Sequence, residues 1–537
     1  MNINELIIKN LTKSRLKNQA DLASFKRGIS KKYKIPCPSN IKLLKAYHKL
    51  VKNKRLKPSE KLENLLKTRP IRSLSGIVNI SVLTKPYPCP GKCIFCPFEK
   101  DFPKSYVAGE PAAERAKRLK YDPYLQVKKR VEMLESEGHP TDKIELRIVG
   151  GTWSFYPKNY QAWFIKKCFD ACNNQNPKEL KICAMAQILR QLFLAQKLNE
   201  KAKQRIVGLS IETRPDFITI SEIKWLRKLG VTMVELGVQT VLDEILKKSK
   251  TGLTSEKIVR ATKLLKEAGF KVLYHLMPNL PGADLEKDLK SFEIVFEDER
   301  FKPDWLKIYP CLVCKGSQLY NWWKAGKYQP YSDKELVELL IKIKKQFPYW
   351  VRIARLMRDI PKTKIEAGCK ISNLREVIKK EMEKRKINCH CIRCREVREK
   401  YNPREKVYLF REDYQASAGK EIFLSFENKK RSKLYALLRL RIPWAVLAKK
   451  GHFLAVLEKS AIIREIQTYG ELVPISKTKI APQHQGLGKK LIKEAEKIAK
   501  KEFGLKKMAV ISGIGARGYF KRLGYRLKDT YMLKEIK

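Results

Sequence analysis

Histidine is scarce in this chain, with six among 537 residues. That argues against a catalytic metal centre built on imidazole. No run of about 18 uncharged apolar residues occurs, which excludes an ordinary transmembrane helix. The N-terminus, MNINELIIKNLTKSRLK, lacks the apolar stretch of a secretory signal. A cytoplasmic location and no membrane partner are therefore expected. Acidic residues are also few, 56 against 114 Lys and Arg, leaving a net charge of +58. A solvated surface alone does not need that excess, whereas a polyanion would profit from it through counterion release. The imbalance is steepest in residues 1–72, where twenty basic side chains face four acidic ones, +16 in all.

Cysteine is plentiful, thirteen in all, but a cytoplasmic chain has no use for a disulfide framework. Cys89, Cys93 and Cys96 form one group, Cys389, Cys391 and Cys394 another, and Cys311 and Cys314 a pair. Cys37, Cys168, Cys172, Cys183 and Cys369 are scattered and read as apolar fillers.

The chain is too long for one core, and its periodicity changes along its length. Residues 1–75 read as basic amphipathic helices facing nucleic acid. From 76 to 325, short apolar runs alternate with amphipathic helices: strands are expected at 76–83, 144–150, 205–212, 232–238, 271–277 and 304–310. That alternation predicts an α/β fold of six βα units, an open partial barrel with its chemistry at the C-terminal strand ends. Residues 326–400 form a connector. Residues 401–537 read as a mixed α/β domain, with five strands, HFLAVLE (452–458) among them, then a Gly-rich turn, a helix from 486 to 503, a strand and a short helix.

The loop PYPCPGKCIFCPF, directly after the first barrel strand, spaces Cys89, Cys93 and Cys96 as C-x3-C-x2-C. Three thiolates can hold three irons of a [4Fe–4S] cube and leave the fourth open. The loop resembles that of the radical S-adenosylmethionine superfamily, in which the open iron chelates S-adenosylmethionine and delivers one electron to its sulfonium. On successive strand ends, Gly150, Gly151 and Thr152, then Glu212 and Arg214, then Gln239 and His275, are the candidate residues to hold that cofactor. Further on, Gln483-His484-Gln485-Gly486-Leu487-Gly488 opens an amphipathic helix. This Q-x-x-G-x-G resembles the loop of GNAT-type acetyltransferases, where glycines expose backbone N–H groups to the pyrophosphate of acetyl-coenzyme A. The preceding strand, Glu465-Ile466-Gln467-Thr468, could pair with the pantetheine arm, and Tyr519 is expected near the thioester. In the connector, three thiols within six residues suggest a structural zinc held by Cys389, Cys391 and Cys394. The fourth ligand is expected to be Cys311, with Cys314 or His390 as alternatives.

The two domains in this order strongly resemble the catalytic subunit of Elongator and its single-chain bacterial and archaeal relatives. The resemblance spans about residues 76–537 and rests on stretches such as CPGKCIFCP, GGTWSFYP, GLSIETRPD, CIRCREV, HQGLGKKLIKEAE and GYFKRLGY. It implies a radical S-adenosylmethionine enzyme acting on tRNA, with the anticodon stem-loop as partner; the charge of segment 1–75 makes that segment the expected tRNA-binding one. A 5′-deoxyadenosyl radical would take hydrogen from the acetyl methyl of acetyl-coenzyme A. The acetyl radical would add to carbon 5 of the wobble uridine, position 34, and hydrolysis would leave a carboxymethyl group. An electron donor is required, and accessory subunits are compatible with the resemblance. Lys143 matches a position the family uses at the acetyl-coenzyme A site. Where the family has two adjacent tyrosines this chain has Tyr519-Phe520, so only the first hydroxyl carries over. A competing reading is a protein lysine acetyltransferase with the barrel as scaffold; another is a tRNA-binding module.

Overall fold

The computed structural model describes residues 2–14, 16–175, 184–398, 402, 404–470 and 486–536. At the N-terminus, helices Ile3–Lys13, Gln19–Tyr33, Asn40–Lys52 and Glu60–Leu66 each begin on a polar cap, Asn2, Asn18, Ser39 and Ser59, whose side chain accepts an orphan backbone N–H. Their apolar faces close on a small separate core around Ile7, Leu43, Tyr47 and Leu66, which leaves the lysines outside.

Seven strands follow in a parallel sheet whose spatial order is their chain order: β1 Val78–Leu83, β2 Lys143–Val149, β3 Arg205–Thr213, β4 Met233–Gln239, β5 Lys271–Leu276, β6 Trp305–Ile308 and β7 Arg352–Arg355. β1 and β7 are its two edges, so the barrel is open. Parallel strands need helical crossovers. These carry clear start signals, with Asp122, Thr219, Thr254 and Asp284 capping the helices that follow. The six expected strands are present. The seventh, four residues with two arginines, lies in the segment read as connector and is too short and charged for an apolar-run criterion.

A second seven-stranded sheet has the order β13-β14-β12-β11-β10-β9-β8. Its members are β8 Tyr408–Ala416, β9 Gly419–Glu427, β10 Leu434–Ile442, β11 Ser460–Thr468, β12 Lys507–Val510, β13 Arg526–Lys528 and β14 Tyr531–Glu535. Two expectations change. HFLAVLE is no strand but contains a short 3-10 helix, Ala455–Leu457, that leads into β11. The last two strands, with little apolar alternation, were not expected.

The sheets meet across a buried ionic cluster. Arg464 donates to both oxygens of Asp304 at 2.5 and 2.8 Å and to the Phe270 carbonyl. Arg441 pairs with Glu267 and Glu421, and Arg439 with Glu465. The register of β10 on β11 shifts beside Arg464, between Arg439 and Leu440. This bulge lets consecutive Arg464 and Glu465 both turn toward the barrel. Among the described residues, no helix is long and apolar enough to cross a membrane.

Candidate functional site

The loop after β1 folds back over the C-terminal strand ends. Cys89, Cys93 and Cys96 edge a cavity of about 130 Å³ that also touches Gly151, Thr152, Glu212, Arg214, Gln239 and His275. Six of the seven residues expected on the strand ends therefore meet the three thiols around one space. The seventh, Gly150, sits behind it. Its φ is +128°, and a Cβ there would collide with Thr84 Oγ1, so its role is to let the ends of β1 and β2 close up. Thr152 Oγ1 lies 3.7 Å from Cys89 Sγ. Burial pushes the Cys93 thiol up and the Cys96 thiol up to about 12. Metal coordination is what would draw off those protons.

Charged groups below the cavity hold one another. Glu212 accepts from Tyr106 Oη at 3.2 Å and Lys307 Nζ at 3.0 Å. Glu235 is fully buried and takes Arg147, Lys307 and His275. Burial alone would raise its pKa, but the charges of Arg147 and Lys307 outweigh this and hold it well below the usual carboxylate range. Burial, with the Lys307 charge, lowers His275 and favours neutral imidazole. Glu212, Glu235 and His275 are also close enough together to hold a cation. Gln239 has φ +71°, which is uncommon outside glycine and is held by the Met277 N–H bonded to its carbonyl. Beyond this layer a wider cleft of about 560 Å³ carries Arg147, Arg352, Arg355 and Arg358. Lys104, Tyr106, Glu235 and Lys307 escaped sequence reasoning. For Glu235 and Lys307 the available signal was charge inside apolar strands, as in VELGV and DWLKIYP; Lys104 and Tyr106 lie in the loop after β1 and carried none.

A second constellation lies in the other sheet. Among the described strands, β11 pairs with β12 from Ser460 to Ile463 and then runs on to Thr468 beside β10. Among the described strands, β12 therefore does not reach the backbone from Glu465 onward. Gly486, at φ +72°, starts the helix Leu487–Phe503. A Cβ on Gly488 would stand 3.1 Å from Tyr519 Oη and 3.6 Å from Ile466 Cδ1. Gly488, Ile466, Thr468 and Tyr519 thus share one groove beside a helix N-terminus. The side chains of Glu465 and Gln467 point the other way, to Arg439 and Lys271, and to the Ser75 carbonyl. Gln483 and His484 lie outside the described residues. Phe520, in place of a second tyrosine, is buried in the core.

Lys143 begins β2, at the end of the barrel remote from the cysteines. Its register neighbour Arg205 packs against Gly515, four residues before Tyr519. Burial lowers the Lys143 pKa to about 8.

In the connector, the sulfurs of Cys389, Cys391 and Cys394 lie within 4.8 Å of one another. Cys311 is not brought to them. It is buried with Phe95, Ile245 and Tyr328 under the cysteine loop, because β6 and the residues after it serve the barrel's top. Cys314 is buried in another cluster with Leu312 and Ile365, and the His390 ring stacks on Tyr349. The neighbour the sequence did not suggest is Lys344, whose Nζ is 3.6 Å from Cys394 Sγ. Burial would raise the Cys391 thiol, but hydrogen bonds from Cys389 and Cys394 and the Lys344 charge pull it well down.

Residues 87–292 match the Radical SAM superfamily, 303–384 the Radical_SAM C-terminal domain and 479–525 the Acetyltransferase (GNAT) family. The fold and both sites thus define a radical S-adenosylmethionine protein joined to a GNAT-type domain. A "tRNA uridine(34) acetyltransferase" of Methanocaldococcus infernus is 45% identical over 513 residues, 93% of this chain and 92% of that protein. The human "Elongator complex protein 3" is 38% identical over 491 residues, 88% of this chain and 86% of its own. The solved archaeal Methanocaldococcus infernus Elp3 with N-terminus deletion (1–46) superposes with a TM-score of 0.74 at 43% identity, over 86% of this chain and 100% of that one. The chain belongs to the Elongator catalytic subunit family.

Proposed function

We propose that this protein is an acyltransferase that modifies uridine 34 of tRNA, taking the acetyl unit of acetyl-coenzyme A and leaving a carboxymethyl group at carbon 5. The observation that carries this reading is the presence in one chain of a three-thiol cavity and a coenzyme groove, joined by a buried ionic cluster. Names borne by relatives at 45–46% identity support the tRNA substrate.

Cys89, Cys93 and Cys96 would hold three irons of a [4Fe–4S] cluster that, when bound, supplies one electron to the sulfonium of S-adenosylmethionine. Gly151 and Thr152 leave room for the methionine amino group. Glu212, held in place by Lys307 and Tyr106, accepts from ribose hydroxyls. Arg214, already steadied by Asp216, offers its remaining charge to the carboxylate, and Gln239 and His275 close the adenosyl side. Arg147, Arg352, Arg355 and Arg358 suit the phosphates of a nucleotide entering the cleft.

In the other domain, Gly486 and Gly488 open the helix N-terminus to the pyrophosphate. The backbone of Glu465 to Thr468 suits the pantetheine arm, and Tyr519 can donate to the thioester oxygen. Lys143, poised near neutrality, serves the same end of the barrel. Hydrolysis of the thioester releases coenzyme A. The connector thiols suit a zinc that ties the domains without taking part in the chemistry. A lysine acetyltransferase reading leaves the arginine cleft without a task. The test is mass spectrometry of tRNA nucleosides after anaerobic incubation with S-adenosylmethionine, acetyl-coenzyme A and a reductant. Carboxymethylated uridine is expected, and its absence with acetyl-lysine formed instead would overturn the proposal.

A further inference from the structure

The helix Leu487–Phe503 packs on β9, β10 and β11 through Leu491, Ile492, Ala495 and Ile498. From β10 and β11, Arg439, Arg441 and Arg464 leave on the other side to reach the barrel at Trp350, Glu267 and Asp304. The helix therefore lies on the outer face of the sheet, away from the barrel. Along it, Lys489, Lys493, Lys497 and Lys501 recur every fourth residue and are all exposed. Such a spacing stacks like charges about 6 Å apart on one line, a destabilising arrangement unless something outside neutralises it. The helix's own acids do not. Glu496 serves Tyr525 and Lys534, Glu502 serves Arg411, and only Glu494 reaches a ridge lysine, Lys497, at 3.6 Å.

Beside this ridge runs a groove of about 970 Å³ between the helix and the β13–β14 hairpin, edged by Lys493, Lys497, Lys500, Lys507, Arg526 and Lys528. A second recess of about 790 Å³ continues it past Lys507 and Glu535 toward Lys449, Lys450 and Lys459. Lys500, Arg526 and Lys528 have no ion-pair partner among the described residues. Glu496, Glu535, Val456, Leu533 and Ile536 line the groove too, but Val456 and Ile536 are buried and Leu533 half-buried, so none stands out as an anchor for a protein partner. Leu527 is the one large exposed apolar side chain on the hairpin, and Tyr525 is buried, whereas protein interfaces are anchored by aromatic and apolar residues in pockets. Point charges without anchors suit a phosphate backbone, which is bound through charge alone.

We propose that this outer groove binds the sugar–phosphate backbone of RNA, at a stretch distinct from the nucleotide that enters the barrel. The inference rests on the tRNA reading above. The test compares three full-length proteins for tRNA binding by fluorescence anisotropy over a salt series: wild type, Lys500→Glu/Arg526→Glu/Lys528→Glu, and the charge-matched control Lys334→Glu/Lys380→Glu/Lys384→Glu. The groove variant should bind about tenfold or more weakly, with a salt slope shallower by about three. The control should stay within about twofold of wild type. Unchanged acetyl-coenzyme A binding by calorimetry certifies the fold of the groove variant, since its three residues lie away from Gly486 and Gly488. Wild-type affinity and slope in the groove variant would overturn the assignment. So would equal weakening of both variants, which reports bulk charge, or loss of an acidic protein partner with tRNA binding intact. A wild type that binds no tRNA would remove the tRNA reading and the groove with it.

Discussion

Lys266 is the odd member of the cluster that joins the two sheets. Five cations, Lys266, Lys271, Arg439, Arg441 and Arg464, face four anions, Glu267, Asp304, Glu421 and Glu465. The arginines and Lys271 make hydrogen-bonded pairs. Lys266 stands 3.6 and 3.7 Å from Asp304 and Glu421 and its Nζ has no hydrogen bond among the described residues, although the side chain is fully buried. Burial lowers its pKa from 10.5 to about 8 against the pull of those carboxylates. Folding therefore weakens its hold on the proton by about 3 kcal/mol. Lys266→Met keeps the length and removes the charge. At pH 7 wild-type Lys266 is protonated both folded and unfolded, so it bears the full desolvation cost, and the variant should be more stable by about 1–3 kcal/mol. Between pH 8 and 10.5 the unfolded chain binds more protons at this site than the folded one. Wild-type stability then rises with pH relative to the variant, and the gap should close. The assay is urea denaturation at several pH values, read by tryptophan fluorescence, with Trp305 lying at the junction beside Lys271. Arg464→Leu is the contrast. It strands Asp304 without its two-pronged partner and should lose about 3–5 kcal/mol. A Lys266→Met protein that is less stable at pH 7, or whose gap from wild type ignores pH, would refute the reasoning.

Three further outcomes follow from the sites. Replacing Cys89, Cys93 and Cys96 together with alanine should abolish iron binding and S-adenosylmethionine cleavage, against about four irons per anaerobically purified wild-type chain; an iron-free wild type with full activity would refute it. Gly488→Leu should fill the groove between Tyr519 and Ile466 and weaken acetyl-coenzyme A binding by about tenfold or more in calorimetry, about 1.4 kcal/mol, with iron content unchanged. Equal binding would move the coenzyme elsewhere. Cys391→Ser should lose about one zinc per chain, whereas Cys311→Ser should retain it, because Cys311 is not beside the connector thiols. Loss of zinc in both would put Cys311 back among the ligands.

What could be read directly from the sequence was whatever depends on neighbours in the chain. The cysteine loop, the Gly-rich helix start and the six barrel strands are local patterns, legible because apolar periodicity and ligand spacing repeat over a few residues. The short strands β7 and β13 escaped because their residues are charged and their strand character comes from the sheet edge they join. The 3-10 turn Ala455–Leu457 was misread as a strand because an apolar run alone does not say whether backbone partners exist beside it. Contacts between distant residues were decided only by the tertiary structure. Folding put Lys344 beside Cys394, turned Cys311 into a core residue, and used a bulge to aim Arg464 and Glu465 at the same barrel face. It also placed Glu212, Glu235, His275 and Lys307, from four different strands, in one charged layer under the thiols. Pairings of that kind depend on strand order and register. Those are properties of the assembled sheet, and no window of sequence contains them.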